Sequence, residues 1–408
     1  MKHAKRRILV AAALAGGLFA GSTAPTQAAG NEVYIIMAVE TKGESAAAIP
    51  DSADGGAMAA EAINKAGGIT IKGKKTKIKY ERIAISTSDT AKAGAVALQI
   101  VDKKPTAVVG FVGTAQTPAV APTIKNSGIP TIFFNTDSKL AIGTSGSVGA
   151  PNIFRMRPTQ SALAAEQFNF MYNQYKKDTG KNLTKVGMIC VNVTFGKAGC
   201  DVYTALAAQK GVTVVKREEN SFSATDLSAQ VTSLCSTSLG AEAILSVNYP
   251  NPAAAFMNEM VNRGCKLPIV EGASGDIAVM SGAFTPPAGF KLYAAVDCHP
   301  AASAKGTPAK KFADAFKAKY GYPAGYSAAE AYDSLFLLKA AIESAQSTKS
   351  ADILKGMKTQ KYKGVCYDKY SPLSPATGIT SNILVNKSSI VSYTGNVPKI
   401  EATVVLPK

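Results

Sequence analysis

Two histidines and six cysteines limit the chemistry open to this chain of 408 residues. A Ser-His-Asp hydrolase would have to draw on His3 or on His299, which is followed by Pro300, and neither lies near a nucleophile motif. Gly272-Ala273-Ser274-Gly275 misses the G-x-S-x-G register by one residue. His299 reads as a loop residue. Cys190, Cys200, Cys235, Cys265, Cys298 and Cys366 include no C-x-x-C pair, the spacing that zinc ribbons and redox sites use, so neither a metal nor a cofactor is expected. Walker A and G-x-G-x-x-G sequences are both missing. The chain reads as a binder, not as an enzyme.

The residues suited to binding stand in short polar runs that follow apolar ones. Gly110-Phe111-Val112-Gly113-Thr114-Ala115-Gln116-Thr117-Pro118 opens a helical pattern. Its glycines let the backbone approach a ligand closely, Thr114 or Thr117 can cap, and Pro118 suits a first helical turn. The N–H groups of such a helix start attract a carboxylate or other anion; an ordinary capped helix is the alternative. Phe133-Phe134-Asn135-Thr136-Asp137-Ser138 supplies donors and acceptors, or makes a turn. Further on come Asn192-Val193-Thr194-Phe195-Gly196, then Asn248-Tyr249-Pro250, then Glu271-Gly272-Ala273-Ser274-Gly275-Asp276. Phe195 and Tyr249 can clamp an apolar part of a ligand, and Glu271 or Asp276 can receive a positive group.

The elements that position these runs are legible from periodicity. Short β-branched stretches alternate with longer Ala-rich amphipathic ones, the pattern of βαβ units around parallel sheets. A first series predicts strands at 32–39, 77–85, 106–110 and 131–134, with helices at 53–65, 90–102 and 118–126. Met58, Ala62 and Ile63 are its inward helix residues. A second series predicts helices at 161–175, 198–209, 225–236 and 252–263, and strands at 185–191, 213–217, 243–247, 267–271 and 290–296. Helices at 308–320 and 328–344 then have no series of their own and return to the first. In such sheets ligands collect at the carboxyl ends of the strands, where the polar runs fall.

The start of the chain predicts its destination. Lys2, Lys5, Arg6 and Arg7 precede an apolar stretch over 8–21, and Thr26-Gln27-Ala28-Ala29 offers small residues for cleavage. That stretch falls short of the roughly 20 residues a bilayer-crossing helix needs, so an export signal over residues 1–29, cleaved near Ala28 or Ala29, is expected. The first cysteine is Cys190, so no lipid-bearing cysteine stands at the cleavage site. The formal charge of +17 falls to +13 once those four cations are removed. The remaining lysines are dispersed, with Lys72, Lys74, Lys75, Lys77 and Lys79 the densest run, and no nucleic-acid signature accompanies them. A solvated surface, with no nucleic-acid partner, is the reading. In an exported chain an even number of cysteines points to disulfides.

The order of these features resembles the branched-chain amino acid-binding family of periplasmic solute-binding proteins, the Leu/Ile/Val-binding type, which serve ABC importers. The resemblance covers about 33–395 and rests on Glu61-Ala62-Ile63-Asn64-Lys65-Ala66-Gly67-Gly68-Ile69, Val108-Val109-Gly110, Gly128-Ile129-Pro130, Phe195-Gly196, Lys319-Tyr320-Gly321 and Ala331-Tyr332-Asp333. It implies an α/β fold of two doubly wound parallel-sheet lobes joined by three crossovers, near 155–157, 297–301 and 362–366. A first lobe of 30–156 plus 299–363 and a second of 157–298 plus 364–408 follow. It also implies a periplasmic monomer that captures a small polar solute, an amino acid or other small carboxylate, between the lobes and presents it to a membrane permease. A sensory or receptor-partner domain of the same fold is the alternative. By position, Thr114 matches the hydroxyl that grips a ligand carboxylate, Asn135 and Asp137 fall in the next ligand loop, Phe195 and Tyr249 match aromatics of the second lobe, and Glu271 or Asp276 stands for the acid that receives an ammonium group. Glu40-Thr41-Lys42-Gly43-Glu44-Ser45 departs from the Ser-Gly turn often found after the first strand, Asp137 from a Thr and Asn135 from a small residue. Placed on that frame, the cysteines pair as Cys190 with Cys200, Cys235 with Cys265, and Cys298 with Cys366.

Overall fold

The computed structural model describes residues 32–42, 49–86, 89–114, 116–134, 143–144, 147–148, 150–370, 382, 384–385 and 387–405. The expected export signal over 1–29 lies outside the described residues, as do Asn135 and Asp137.

Strands buried on both faces read as nearly unbroken apolar runs, because helices cover both sides of a parallel sheet. β1 (Glu32–Lys42), β4 (Ala107–Gly110), β5 (Thr131–Phe133) and β8 (Ile153–Arg155) are of this kind. So are β9 (Lys185–Val191), β11 (Ala243–Val247), β12 (Ile269–Glu271) and β13 (Leu292–Val296). β2 (Ile69–Ile71), β3 (Lys74–Ser86) and β10 (Thr213–Asn220) lie towards the outside of their sheets and are accordingly half-exposed. The lysines of β3 face solvent, which also discourages edge-to-edge pairing. A two-residue hairpin, β6 (Gly143–Thr144) with β7 (Ser147–Val148), stands apart.

The first sheet runs β2-β3-β1-β4-β5-β8, and every pair but β2–β3 is parallel. The second runs β10-β9-β11-β12-β13 in parallel and ends in an antiparallel hairpin, β14 (Lys387–Thr394) and β15 (Val397–Val405). In each parallel part the first strand of the series lies between the second and the third. Strand order therefore reverses between β1 and β4 and between β9 and β11, and a crevice opens beyond the carboxyl ends at such a switch point.

Eleven helices are described: α1 (Ile49–Lys65), α2 (Thr90–Asp102), α3 (Thr117–Ser127), α4 (Gln160–Thr179), α5 (Thr194–Lys210), α6 (Ser228–Leu234), α7 (Pro250–Asn262), α8 (Ala273–Met280), α9 (Pro308–Tyr320), α10 (Tyr326–Ala345) and α11 (Ser350–Thr359). Ile63 of α1 is fully buried, while Met58 and Ala62 are only partly so. α10 closes one face of the first sheet, with Leu335, Leu338 and Ile342 in one core with Ile63 and Val109. Its first residue, Tyr326, packs instead into the second core beside Val279 and Val296. No described helix is long and apolar enough to cross a membrane.

The chain passes between halves after β8, after β13 and again before β14. The last passage differs from its expected place near 362–366. Asp333 on α10 accepts hydrogen bonds from the Tyr362 and Tyr370 hydroxyls and from the Val365 N–H, which ties this stretch to the first half. Asn382 and Leu384 then pair with Arg155 at the edge of β8, and Tyr370, Leu384 and Val385 join the first core. The crossing falls between Val385 and Lys387. The helix over 273–280, the helix over 350–359 and the terminal hairpin also had no counterpart in the sequence reading. Disulfides join Cys190 to Cys200, Cys235 to Cys265 and Cys298 to Cys366.

Candidate ligand-binding cleft

At the first switch point Gly110 has φ of 116°, and a Cβ there would lie 2.2 Å from the Ala38 carbonyl oxygen, so only glycine lets β4 pass β1 this closely. Phe111 follows with φ of 56°, held by its ring against Phe133. The loop they launch does not offer its amides freely. Glu40, near the end of β1 and buried, accepts from Val112 N (3.2 Å), Gly113 N (2.8 Å) and Gln116 Nε2 (2.6 Å). A carboxylate of the protein thus holds donors that the sequence reading left to a ligand. Gln116 occupies the N-cap position of α3 in place of Thr114 or Thr117, and Thr117 Oγ1 donates to the Gly113 carbonyl.

At the second switch point Gly196 lets α5 start against Val191, since a Cβ would sit 2.1 Å from that carbonyl oxygen. Phe195 at the start of α5 stacks on Tyr249 at the N-cap of α7, centroids 5.4 Å apart with an interplanar angle of 26°. Thr114, Phe195, Tyr249, Ser274 and Tyr326 line one small cavity of about 30 Å³, with Arg157 in its wall. The two switch points therefore face each other across a narrow cleft.

The two candidate acids part company. Glu271 is turned into the second half and lines neither cleft cavity. It accepts from the Ser246 hydroxyl, Asn248 N (3.1 Å) and Gly272 N (2.9 Å), while burial, outweighing these bonds, pushes its carboxyl up to about 7. Asp276, in the first turn of α8, lines a larger cavity of about 310 Å³ with Asp51, Ile277, Met280, Tyr322 and Tyr326. Tyr326 and Ile277 border both cavities.

His299 lies in the loop after β13, as its context suggests, and its ring caps the short 3-10 turn over 300–302. It is 1% exposed, its Nε2 lies 2.9 Å from Asp276 Oδ1, and its Nδ1 accepts from Ala302 N at 3.2 Å. A ring nitrogen that accepts an N–H carries no proton, so the neutral imidazole donates through Nε2. Burial lowers the ring's pKa and the Asp276 charge raises it, with a net upward shift. Tyr393 donates to the same Asp276 oxygen at 2.5 Å.

Asp51 and Arg157 were not singled out from sequence. Asp51 accepts from Gly325 N (3.3 Å) and Ala328 N (3.2 Å) at the start of α10, and burial pushes its carboxyl up to about 7. Arg157 is ion-paired to Asp297, lies 3.7 Å from Glu330 and covers the Tyr326 ring at 4.7 Å. This buried group ties the first two chain passages to α10. No set of three His, Cys, Asp or Glu among the described residues is placed to hold a metal ion.

Two doubly wound sheets facing across such a cleft match known proteins. Residues 32–377 fit the family described as "Periplasmic binding protein". The chain belongs to that family. A curated relative, Leu/Ile/Val-binding protein homolog 3 of Brucella melitensis biotype 1, is 26% identical over 295 residues, which cover 72% of this chain and 74% of the relative. Among solved structures, the branched-chain amino acid transporter substrate-binding protein LivJ of Streptococcus pneumoniae, in complex with isoleucine, is similar with a TM-score of 0.73 and 23% identity, over 92% of this chain and all of that one. The solute-binding protein of an R. palustris ABC transporter, in complex with benzoate, has a TM-score of 0.76 at 14% identity, over 92% and 97%. These likenesses establish the type I periplasmic binding fold. The family is one of solute-binding proteins, not enzymes, and implies export to the periplasm.

Proposed function

We propose that this protein is the substrate-binding component of an ABC importer and captures an amino acid or other small carboxylate between its two halves. The observation that carries the reading is that Thr114, from the first switch point, and Phe195 and Tyr249, from the second, line one cavity. A solute in contact with both halves favours a closed form only as far as it binds that form better, and closure needs no chemistry. In this reading Thr114 takes the carboxylate and the aromatic pair covers the apolar part.

The lobes of this reading are 30–156 with 299–385, and 157–298 with 387–408. An export signal cleaved near Ala28 or Ala29 delivers a periplasmic monomer whose membrane partner is the permease. Leu/Ile/Val-type binding in the curated relative and isoleucine or benzoate in the solved complexes support the solute class. Small-angle scattering tests the reading: a solute that raises the melting temperature should also reduce the radius of gyration. Tight binding with an unchanged radius would remove the clamp.

A further inference from the structure

A third cavity lies at the far end of the second half. Met171, Gln174, Tyr175 and Asp178 follow one another at helical spacing along a single face of α4, and with Lys266, Pro268, Lys291 and Tyr293 they line about 200 Å³. Pro268 and Lys291 directly precede β12 and β13, so this cavity sits at the amino ends of strands whose carboxyl ends lead to the cleft. Its floor is apolar. Met171 and Tyr293 are buried, and Phe170 meets the Tyr293 ring edge-on with centroids 5.0 Å apart. Its rim is charged unequally. Asp178 accepts from Gln174 Nε2 and pairs with Lys291 Nζ, both at 2.7 Å, so that acid is already matched. Lys266 is exposed and has no ion pair among the described residues. Two lysines therefore stand against one acid, and the surplus charge is positive. Burial, followed by the charges of Asp178 and Glu401, pushes the Tyr293 hydroxyl up to about 12, so it stays protonated as a donor.

We propose that this cavity is a second ligand site, separate from the cleft, which takes a small organic monoanion: a single flat ring on Met171, Pro268 and Tyr293, with its charged group at Lys266. The inference goes beyond the interlobe reading and does not depend on it. A volume of about 200 Å³ lies below that of clefts that enclose drug-sized molecules and restricts the occupant to one ring. An exposed lysine alone holds an anion weakly, because water screens the pair, whereas an apolar floor beside it adds the burial of the ring. That combination favours an anion with an apolar body over inorganic phosphate. A cation is disfavoured, since the one acid among the described lining residues is taken by Lys291. All the described lining residues belong to the second half, so an occupant does not bridge the cleft.

NMR of isotope-labelled methionine methyls in the mature protein tests it, with the Met171 signal assigned through Met171→Leu. Benzoate should shift that signal saturably, and benzamide, the same ring without the charge, should bind roughly fivefold more weakly. Benzylamine should leave the signal in place. Lys266→Glu should weaken benzoate about tenfold, and Lys266→Gln, which removes the charge without reversing it, roughly fivefold. Because Lys266 is exposed, both variants should fold as the parent does. The titration is repeated on Tyr249→Ala, which opens the aromatic pair of the cleft. The Met171 response to benzoate should be the same there as in the parent. A response that weakens in Tyr249→Ala is transmitted from the cleft and overturns the second site. No Met171 shift at millimolar benzoate overturns it, and so does equal affinity for benzoate and benzamide or parent affinity in both Lys266 variants. Scattering keeps the two readings apart: an anion that shrinks the radius of gyration without moving Met171 supports the clamp and removes this site, whereas one that moves Met171 at an unchanged radius supports this site alone.

Discussion

Thr114 and Tyr249 sit where the chain leaves the carboxyl ends of strands and Phe195 opens the helix that follows one, whereas Asp51, Asp276 and Tyr326 sit in the first turns of helices. The two cavities so formed share Tyr326 and Ile277 as a common wall but are held differently. The small one is fixed by backbone: glycines at 110 and 196 set the approach, and an aromatic stack closes the side. The large one is fixed by side chains that reach across from distant segments, Asp51 to the start of α10 and Asp276 to His299 and Tyr393. A carboxylate in a first helical turn is favoured by the helix dipole whether or not a ligand comes.

The largest effect should come from the wall between the cavities. Arg157→Ala leaves Asp297 and Glu330 buried without their cation and strips the cover from Tyr326, so it should cost about 3–5 kcal/mol of stability. Denaturant unfolding reads this directly. A loss under about 1 kcal/mol would mean that the buried group does not tie the halves together. Next comes the wall of the small cavity. Cys190 and Cys200 bracket Phe195, and replacing both with serine should cost about 2–4 kcal/mol. An equal midpoint for variant and parent would show that the loop is held by the aromatic stack alone.

Binding separates the cavities more finely. Thr114→Ala should weaken leucine about ten- to hundredfold in calorimetry, through a lost hydroxyl contact to its carboxylate. Tyr249→Ala removes the partner of Phe195 and should weaken leucine by about 1 kcal/mol. Parent affinity for leucine in both variants would take the solute away from the small cavity.

How much of this was legible follows from sequence distance. The strand over 185–191, the strand over 243–247 and the helices over 90–102 and 308–320 carry their own periodicity and end where it ends. Glycine, threonine and aromatic residues directly after apolar strands likewise marked the small cavity. Asp51 gave no such sign, because its partners Gly325 and Ala328 are remote in sequence and only the return of α10 to the first sheet brings them together. The run from Ala273 to Met280 looked like a loop for its glycine and serines, and forms a helix because Ala278 and Val279 are buried in the second core. One signal was present and unused: Gly395-Asn396 between two apolar runs is hairpin chemistry, and Gly395 takes φ of 55° at that turn.

The smallest effect is a titration, and it tests whether Asp51 belongs with the protein's own scaffold or with the cavity. Its carboxyl is pushed up to about 7 by burial, with the Asp276 charge adding to the rise, while the N–H groups of Gly325 and Ala328 act to lower it. A folded-state value above the unfolded one means that the folded protein keeps a proton the unfolded chain releases. The stability this contributes is fully present below the unfolded value and is lost as pH rises through about 7. Glu271, also pushed up to about 7, loses stability over the same window, so the informative quantity is the difference between parent and Asp51→Asn. That difference should shift by about 1 kcal/mol in favour of the variant between mildly acid and mildly alkaline solution, since Asp51 is only half-buried and solvent screens part of the effect. If parent and variant instead run parallel across that range, burial does not hold a proton on Asp51, and its carboxylate serves only to accept from the N–H groups at the start of α10.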